Sequence, residues 1–295
     1  MHYTPPAIRP FQAAGHVMLE LTTGCTHNRC KFCTYYRDVP FRIAPMSQIE
    51  EDLQEVSRYN PSAKNVYALG GDPFTLSFRR LKEIGTLIKQ YLPEANIGTY
   101  ARITSITPKS VEELKELRAI GWKDLYIGIE SGDDEALSLM NKGYTSADIL
   151  RECRKLDEAG INYHFIFIGG LAGHGNCERN ARNTAAVMNQ IHPVYLSFSS
   201  LMVVPGTELY DMVKAGEFTE ATELERLKEM LCLIKALNIP ITLDARTEAS
   251  FVNFVAKLPK DREILIRELE RIIENFTEKD ERKLRHHREA MSRMS

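Results

Sequence analysis

The feature that most constrains the fold is a regular alternation of apolar, strand-like segments with amphipathic, helix-like segments. The six strand-like segments are HVMLELTT, NVYALG, NIGTYARI, DLYIGIES, NYHFIFIGG and VYLSFSSLMVV. Such alternation predicts right-handed crossovers and a parallel sheet, and segments that are apolar throughout suit strands buried on both faces. Six units are too few for a complete eight-unit barrel. The sequence therefore predicts an α/β fold, a partial (β/α)6 TIM-like barrel with a mainly parallel sheet, in which PITLDA offers a seventh strand.

We divide the chain into four segments around that barrel. Early prolines indicate an extended N-terminal arm over residues 1–15. The barrel itself is predicted for residues 16–245, with a short helical C-terminal extension over residues 246–278. Residues 279–295 carry six basic and three acidic side chains. This composition favours a basic, flexible tail over a nucleic-acid-binding arm.

Composition narrows the class of protein. The chain has 43% hydrophobic and 26% charged residues, which is ordinary for a globular protein in water. No apolar run approaches the roughly 20 residues of a membrane helix, and the N-terminus lacks the pattern of a signal peptide. We therefore expect a cytoplasmic protein without a membrane partner. The net charge of −2 gives no case for a large nucleic-acid footprint.

Polar or glycine-rich turns follow every predicted strand. After the first strand comes a loop with three cysteines, and after the others come GGDP, ARITS, IESG, GGLAGHG and VPGTELY. In barrels and open α/β sheets, ligands bind at the carboxyl ends of the strands, and glycine lets a backbone approach a ligand closely. Six such turns at one end of the sheet predict a single site there.

Three of the six cysteines, Cys25, Cys30 and Cys33, lie within a span of nine residues and have the spacing C-x4-C-x2-C. In a reducing compartment, such a cluster indicates metal binding or catalysis more than disulfides. Three arrangements are open: a structural zinc site with His27 as fourth ligand, a redox dithiol in CKFC, or an iron–sulfur cluster with one open iron. His27 lies between two of the cysteines, which disfavours zinc. The iron–sulfur cluster is the favoured interpretation.

These motifs together resemble the radical S-adenosylmethionine (SAM) superfamily. The resemblance covers about residues 16–210 and rests on GCTHNRCKFC, LGGDP, LYIGIESGDDEALSLMNKG, FIFIGG and VPGTELY. The last three motifs are most similar to the branch that contains oxygen-independent coproporphyrinogen oxidase, the methylthiotransferases and the Elongator catalytic subunit. The common family spacing is C-x3-C-x2-C, and this chain has one residue more between the first two cysteines. Longer spacings occur in the superfamily, so the cluster assignment stands.

The resemblance implies a definite chemistry. The three cysteines would hold a [4Fe-4S] cluster whose open iron binds SAM. One electron from an external donor such as flavodoxin or ferredoxin would cleave SAM to methionine and a 5′-deoxyadenosyl radical, which abstracts hydrogen from an unknown, small substrate. The other cysteines are dispersed, which argues against a second cluster and so against methylthiotransferase chemistry. The alternative is a non-catalytic metal-binding or electron-transfer protein that uses the same cysteines.

The resemblance also implies a SAM site built from the turns. Gly70 and Gly71, with the Asp72 carboxylate, would meet the SAM ammonium. Glu130 would accept hydrogen bonds from the ribose hydroxyls, and Lys142 would pair with the SAM carboxylate. Each has a structural alternative: the aspartate could shape the turn before a proline, and the glutamate could stabilise a helix start.

Two further contacts complete the implied cofactor site. The backbone of Val204 and Pro205 would lie against the adenine. Phe32, between the second and third cysteines, would shield the cluster from solvent.

Three residues are candidates on the substrate side. Tyr100 and Arg102 share one face of the third strand. A buried arginine there needs an anion, which would be Glu130, the SAM carboxylate or an acidic substrate group. Cys177 follows the fifth strand at the predicted mouth and is a candidate for capping or ligand binding. The remaining candidates are expected in the core: Cys153, Cys232 and His164.

Overall fold

The computed structural model describes residues 1–247 and 252–294, and its elements follow the predicted alternation. The strands are β1 (Val17–Glu20), β2 (Thr22–Thr23), β3 (Arg42–Ile43), β4 (Asn65–Leu69), β5 (Asn96–Ala101), β6 (Trp122–Glu130), β7 (Asn162–Gly169), β8 (Tyr195–Ser200), β9 (Ile241–Asp244) and β10 (Val255–Leu258). The helices are α1 (Met46–Tyr59), α2 (Phe78–Tyr91), α3 (Ile103–Ile106), α4 (Val111–Ile120), α5 (Asp134–Leu139), α6 (Ser146–Ala159), α7 (Cys177–Met188), α8 (Glu208–Lys214), α9 (Glu223–Ala236), α10 (Arg262–Glu274) and α11 (Glu278–Met294). All six predicted strands are present, and PITLDA forms β9.

An eight-stranded sheet has the order β1-β4-β5-β6-β7-β8-β9-β10. Parallel pairing joins β1 to β4, β4 to β5, β5 to β6, and β8 to β9. The final strand, β10, runs antiparallel to β9, and β2 and β3 form a separate antiparallel ribbon. The mainly parallel α/β sheet with a helical C-terminal end is the predicted fold, and β10 is an addition that the sequence analysis did not predict.

The chain divides into two compact units. The first comprises Met1–Asn28, Tyr35–Gly128 and Arg151–His164, and the second comprises Arg29–Thr34, Ile129–Leu150 and Phe165–Ser295. Both units take residues from the range 16–245, which the sequence analysis treats as one barrel domain. The boundaries of that predicted domain remain a prediction.

The core of the first unit is built around Trp122 at the start of β6. This side chain is fully buried, its indole Nε1 donates a hydrogen bond to the carbonyl of Leu81 over 3.1 Å, and its ring lies edge-on to Phe74 at 6.4 Å. The preceding helix α4 begins with a capping box formed by Ser110 and Glu113. Truncating a buried tryptophan typically costs about 3–5 kcal/mol, so this residue anchors the sheet to the helices that cover it.

In the second unit, the segment predicted as a flexible tail is helical. Residues 279–295 were expected to be solvated because of their charge, whereas Glu278–Met294 form α11. The cause is a non-local ion pair. Arg288 is 8% exposed and its Nε donates to Glu223 over 2.9 Å. Glu223 is itself buried, and a buried carboxylate requires such a partner.

A second contact fixes the start of α11. The carboxylate of Glu281 accepts hydrogen bonds from the backbone N–H groups of Glu223 and Leu224, at 2.9 and 3.1 Å. These N–H groups belong to the first turn of α9, where an anion is stabilised by the helix dipole. The C-terminal helix is therefore held in its first turn by Glu281 and in its second half by Arg288. In residues 1–247 and 252–294, no helix has the length and apolarity needed to span a membrane.

Candidate active site

The three clustered cysteines are all free and partly exposed. They lie in the loop between β2 and β3, which follows the first strand of the main sheet. Among the residues that the structure describes, no three His, Cys, Asp or Glu side chains are already gathered as a metal site. The donor set nevertheless suits an iron–sulfur cluster, because three accessible thiols on one short loop can supply three thiolate ligands.

The part of this loop from Cys30 to Cys33 is tied to two helices of the second unit. The backbone N–H of Lys31 donates to the carbonyl of Met140 over 3.2 Å, and its carbonyl accepts from the N–H of Leu209 over 3.0 Å. Phe32 packs against the apolar cluster that contains both of these partners. The second and third cysteines are thus presented on a backbone that is fixed from both sides.

A buried ion pair lies beside Phe32 in the same unit. Lys142 Nζ donates to Glu130 Oε1 over 3.0 Å and lies 5.8 Å from the centre of the Phe32 ring. Glu130 and Lys142 are only 8% and 5% exposed. The sequence analysis assigned these two residues to different parts of SAM, and the structure pairs them with each other.

Two properties of Glu130 are unusual for a purely structural residue. Its backbone has φ +59°, a left-handed conformation that a non-glycine residue adopts at an energetic cost. Its second carboxylate oxygen, Oε2, is buried and has no hydrogen-bond partner among the described residues. A buried acceptor without a donor is costly, so a strained residue that carries one indicates a place for a ligand.

The charge of Lys142 is secured by its surroundings. Burial alone would lower the pKa of Lys142, but the Glu130 carboxylate, together with Tyr144 and the thiol of Cys30, outweighs burial and raises that pKa. A permanent cation therefore lies close to the second cysteine, where it would favour anionic groups.

Asp72, in the GGDP turn, is completely buried and bonded within the protein. Its Oδ2 accepts from the hydroxyls of Thr26 and Ser105 at 2.7 and 2.6 Å, and its Oδ1 accepts from the N–H of Arg102 at 3.3 Å. Burial raises its pKa to about 6, although these hydrogen bonds act in the opposite direction. This carboxylate joins the cysteine loop, the GGDP turn and the end of β5, and its contact with the SAM ammonium stays a prediction.

The two glycines before Asp72 lie where neighbouring atoms leave no room for a side chain. Gly70 has φ +142°, and a β-carbon there would lie 2.0 Å from Thr22 Oγ1. A β-carbon at Gly71 would lie 2.6 Å from the carbonyl of Gly24 and 2.9 Å from Cβ of Cys25. Real β-carbons do not approach so closely, so the turn can pack against the cysteine loop only with glycine at both positions.

Tyr100 and Arg102 lie where the third predicted strand ends. Arg102 is partly buried and its Nη1 donates to Thr104 over 3.0 Å. Tyr100 is also partly buried and contacts a tyrosine cluster of the first unit. Their place at the strand end is as predicted, and their role toward a substrate remains a prediction.

Cys177 is buried at the start of a helix. It is the first residue of α7 and is 4% exposed. Burial, reinforced by the nearby carboxylate of Glu229, raises its thiol pKa well above the ordinary range. A thiol of this kind is a poor nucleophile and metal ligand, which favours packing, and its role at the site mouth stays a prediction.

The VPGT turn begins a helix. Thr207 caps α8, its hydroxyl accepting from the N–H of Tyr210 over 3.1 Å and donating to the carbonyl of Val204 over 2.7 Å. Val204 is buried and Pro205 is exposed. The turn is thus pre-formed and lies directly before the helix that holds Lys31, which suits it to present backbone to a ligand.

The sequence analysis missed the polar groups that support the GGDP turn. Ser105 and Thr26 bind Asp72, and Lys109 is 2% exposed and donates to the carbonyls of Phe74 and Ser105, both at 2.8 Å. Burial lowers the pKa of Lys109 to about 8. The only signal in the sequence was the polar turn ARITS after the third strand, and a buried lysine leaves no such signal.

Comparison with known proteins decides the family. The model of the radical SAM superfamily matches residues 19–183, which is more than half of the chain and includes the cysteine loop, the GGDP turn and Glu130. The chain belongs to the radical SAM superfamily. Its cofactors are therefore those of the superfamily, a [4Fe-4S] cluster and SAM.

Two curated relatives of this radical SAM protein match the predicted branch. The heme chaperone HemW of Bacillus subtilis (strain 168) is 26% identical over 159 residues, which are 53% of this chain and 41% of the relative. The tRNA-2-methylthio-N(6)-dimethylallyladenosine synthase of Neorickettsia sennetsu is 26% identical over 229 residues, 72% of this chain and 46% of the relative. The chain thus spans less than half the length of either protein.

Solved structures share the fold at low sequence identity. The cobalamin-dependent radical SAM enzyme OxsB, with aqua-cobalamin and SAM bound, superposes with a TM-score of 0.60 at 15% identity, over 75% of this chain and 41% of that one. Coproporphyrinogen III oxidase from Escherichia coli superposes with a TM-score of 0.53 at 15% identity, over 75% of this chain and 52% of that one. These likenesses confirm the TIM-like α/β fold.

Proposed function

We propose that this chain is a radical SAM enzyme that holds one [4Fe-4S] cluster through Cys25, Cys30 and Cys33 and acts on a small substrate. When bound, the reduced cluster and SAM together supply a 5′-deoxyadenosyl radical for hydrogen abstraction. The electron comes from an external one-electron donor of the flavodoxin or ferredoxin kind. All six cysteines are free, which suits the reducing, cytoplasmic compartment that the sequence favours.

The observation that carries this proposal is the state of Glu130. A strained, buried carboxylate with an unsatisfied oxygen, next to Phe32 of the cysteine motif, is a feature that a ligand explains. Oε2 of Glu130 accepts from the SAM ribose hydroxyls, and Oε1 keeps Lys142 in place. A structural metal site, the alternative function, gives no reason for such a carboxylate beside it.

The remaining contacts that we propose to SAM come from the turns and from Lys142. Because the Asp72 carboxylate is occupied, the backbone of Gly70 and Gly71 meets the SAM ammonium. The charge of Lys142 attracts the SAM carboxylate, and the pre-formed turn at Val204 and Pro205 offers backbone to the adenine. These residues orient the cofactor and exclude water, while the cofactor supplies the reaction.

The substrate side is assigned to the end of β5. Arg102 is partly buried at the carboxyl edge of the sheet, where an arginine recognises carboxylate or phosphate with its planar fork. We propose that Arg102 binds an acidic group of a small substrate. In Arg102→Lys, turnover of an acidic substrate falls, while SAM cleavage without substrate continues. If SAM cleavage is lost as well, Arg102 belongs to the cofactor site.

The test of the proposed function is anaerobic reconstitution of the full chain with iron and sulfide, followed by reduction with dithionite in the presence of SAM. We expect stoichiometric iron and sulfide, visible absorption of a cluster, and release of 5′-deoxyadenosine. Cys30→Ala should lose all three signals, and Cys232→Ala, which removes a partly buried helix thiol outside the loop, should keep them. Bound zinc without iron, or a cluster without SAM cleavage, would support the non-catalytic alternative.

A further inference from the structure

Three tyrosines on neighbouring strands form a compact cluster in the first unit. The ring of Tyr67 on β4 lies 5.7 Å from that of Tyr100 on β5 and 5.7 Å from that of Tyr126 on β6, and Tyr100 and Tyr126 are 6.3 Å apart. Each pair meets edge to face. Gly98 on β5 makes this possible, because a β-carbon there would lie 3.3 Å from the Tyr126 ring. The strands thus bring three phenols into mutual contact.

The cluster reaches toward the cysteine loop at one end. Tyr36, three residues after Cys33, is 7% exposed. The position that a β-carbon of Gly71 would take is 2.8 Å from the Tyr36 ring and 2.9 Å from Cβ of Cys25, so this ring lies beside the first cysteine. Tyr36 also lies near enough to Tyr67 to influence its ionisation.

At the other end, the cluster meets a charged pair. His164 stacks on Tyr126 with 4.5 Å between the ring centres, and its Nε2 lies 3.1 Å from Asp124 Oδ1. Aromatic rings thus extend from Tyr36, beside the cysteine loop, to Tyr126, which contacts the imidazole of the His164–Asp124 pair.

The phenol of Tyr67 is held in the protonated form. Tyr67 is fully buried and Tyr126 is 4% exposed, and burial, with the neighbouring tyrosines, raises the pKa of Tyr67 well above the ordinary range. Tyr100 is the partly exposed member and lies two residues before Arg102, whose N–H binds Asp72 of the GGDP turn. Tyr100 is thus the most exposed phenol of the cluster.

We propose that the cluster of Tyr67, Tyr100 and Tyr126 is a hydrogen-atom donor for carbon-centred radicals, with Tyr100 as the residue that gives the atom. This inference rests on the proposed function, because SAM cleavage generates the radical. In the step, the O–H bond of Tyr100 breaks and a C–H bond forms; the carbon radical is reduced and Tyr100 is oxidised to a neutral tyrosyl radical. The external one-electron donor then returns an electron and solvent returns a proton. A phenolic O–H bond is weaker than an aliphatic C–H bond, so the hydrogen-atom transfer is thermodynamically favourable.

The test uses SAM alone as the probe. The reconstituted holoenzyme is reduced with dithionite in D2O without any other substrate, and the deuterium content of the released 5′-deoxyadenosine is measured by mass spectrometry. Phenolic hydrogen exchanges with solvent and carbon-bound hydrogen does not, so donation from tyrosine places one solvent deuterium at the 5′ carbon. We expect that deuterium in the wild type and in the control Tyr59→Phe, which changes an 83% exposed tyrosine. The 5′-deoxyadenosine released by Tyr100→Phe should lack this solvent deuterium.

A second measurement needs no variant. Wild-type holoenzyme frozen during turnover should show an electron paramagnetic resonance signal that narrows when the protein contains ring-deuterated tyrosine. If 5′-deoxyadenosine forms without solvent deuterium, or Tyr100→Phe keeps the deuterium, the tyrosine cluster is only packing and the inference is overturned. If the wild type releases no 5′-deoxyadenosine at all, the proposed function fails and this inference fails with it.

Discussion

The hydroxyl of Thr26 donates a hydrogen bond to the carboxylate of Asp72 over 2.7 Å. This bond joins the residue after the first cysteine to the turn after the second barrel strand. Because the same carboxylate binds Ser105 and the backbone of Arg102, one buried side chain fixes the cysteine loop, the glycine turn and the end of β5. The acidic residue of the GGDP turn thus ties together three segments that are distant in sequence.

Asp72→Ala should weaken both the fold and the cluster. The change leaves two hydroxyls and one backbone N–H without their acceptor, and such losses cost about 3 kcal/mol in total. We expect a lower thermal midpoint of the reconstituted protein and a lower iron content, since the first cysteine is no longer held. The measurements are differential scanning fluorimetry and iron analysis.

The matched control for this prediction is Asp38→Ala, which removes an exposed aspartate that follows the same loop. It should change neither the thermal midpoint nor the iron content. A fully loaded and equally stable Asp72→Ala protein would show that the three hydrogen bonds do not determine the loop.

Gly71→Ala should impair cluster assembly itself. The added β-carbon would lie 2.6 Å from the carbonyl of Gly24 and 2.9 Å from Cβ of Cys25, so the cysteine loop must move. We expect reduced iron and sulfide per chain after reconstitution. Gly15→Ala is the control, because no atom lies within 4 Å of its added carbon. Equal loading of the two variants would contradict the close packing of turn and loop.

The sequence predicted those features that depend on local periodicity. Apolar runs located β1 and β4 to β9, and the turns after them located the cysteines and Gly71 at one edge of the sheet. The strand β10 was not predicted because its residues, VAKL, alternate between exposed and buried and form no continuous apolar run. Local pattern thus specifies where strands end, and with them the place of the site.

Side-chain partners were harder to predict because they depend on residues distant in sequence. Glu130 and Lys142 are 12 residues apart, and the sequence gives no reason for them to pair with each other and not with SAM. Arg288 reaches Glu223 across 65 residues, which turned an expected tail into a helix. Cys177 follows a strand as predicted, but the start of α7 turns its side chain into the core.

Glu229→Gln should reduce the dependence of stability on pH. Glu229 is completely buried, and burial raises its pKa from 4.5 to about 7, although hydrogen bonds from Asn180 and Gly170 act in the opposite direction. Between these two values the folded state keeps a proton that the unfolded state has released, so the free energy of unfolding falls as pH rises. The glutamate alone should account for a fall of about 2 kcal/mol between about pH 5 and about pH 7.5.

Urea unfolding of wild type and variant at both pH values measures this fall. Glu229→Gln should not show the fall that the glutamate causes. The quantity compared is therefore the change in the free energy of unfolding between the two pH values, and not the absolute stability at either one. Glu178→Gln, which changes an exposed glutamate, should keep the wild-type slope. An unchanged slope in Glu229→Gln would mean that this carboxyl titrates normally in the folded protein.

Glu130→Gln should weaken SAM binding while the cluster still assembles. The change keeps the size of the side chain but removes the charge that holds Lys142 and one of the acceptor oxygens assigned to the ribose. We expect at least a tenfold rise in the SAM dissociation constant, which corresponds to about 1.4 kcal/mol, with unchanged iron content, and no effect from the exposed control Glu112→Gln. In Glu130→Gln the buried charge of Lys142 has lost its partner. The double variant Glu130→Gln/Lys142→Met removes that charge and should restore thermal stability, so it separates an effect on the fold from an effect on SAM binding. If SAM affinity returns together with stability, the ion pair is only structural; if affinity stays low in a stable protein, Glu130 and Lys142 bind the cofactor.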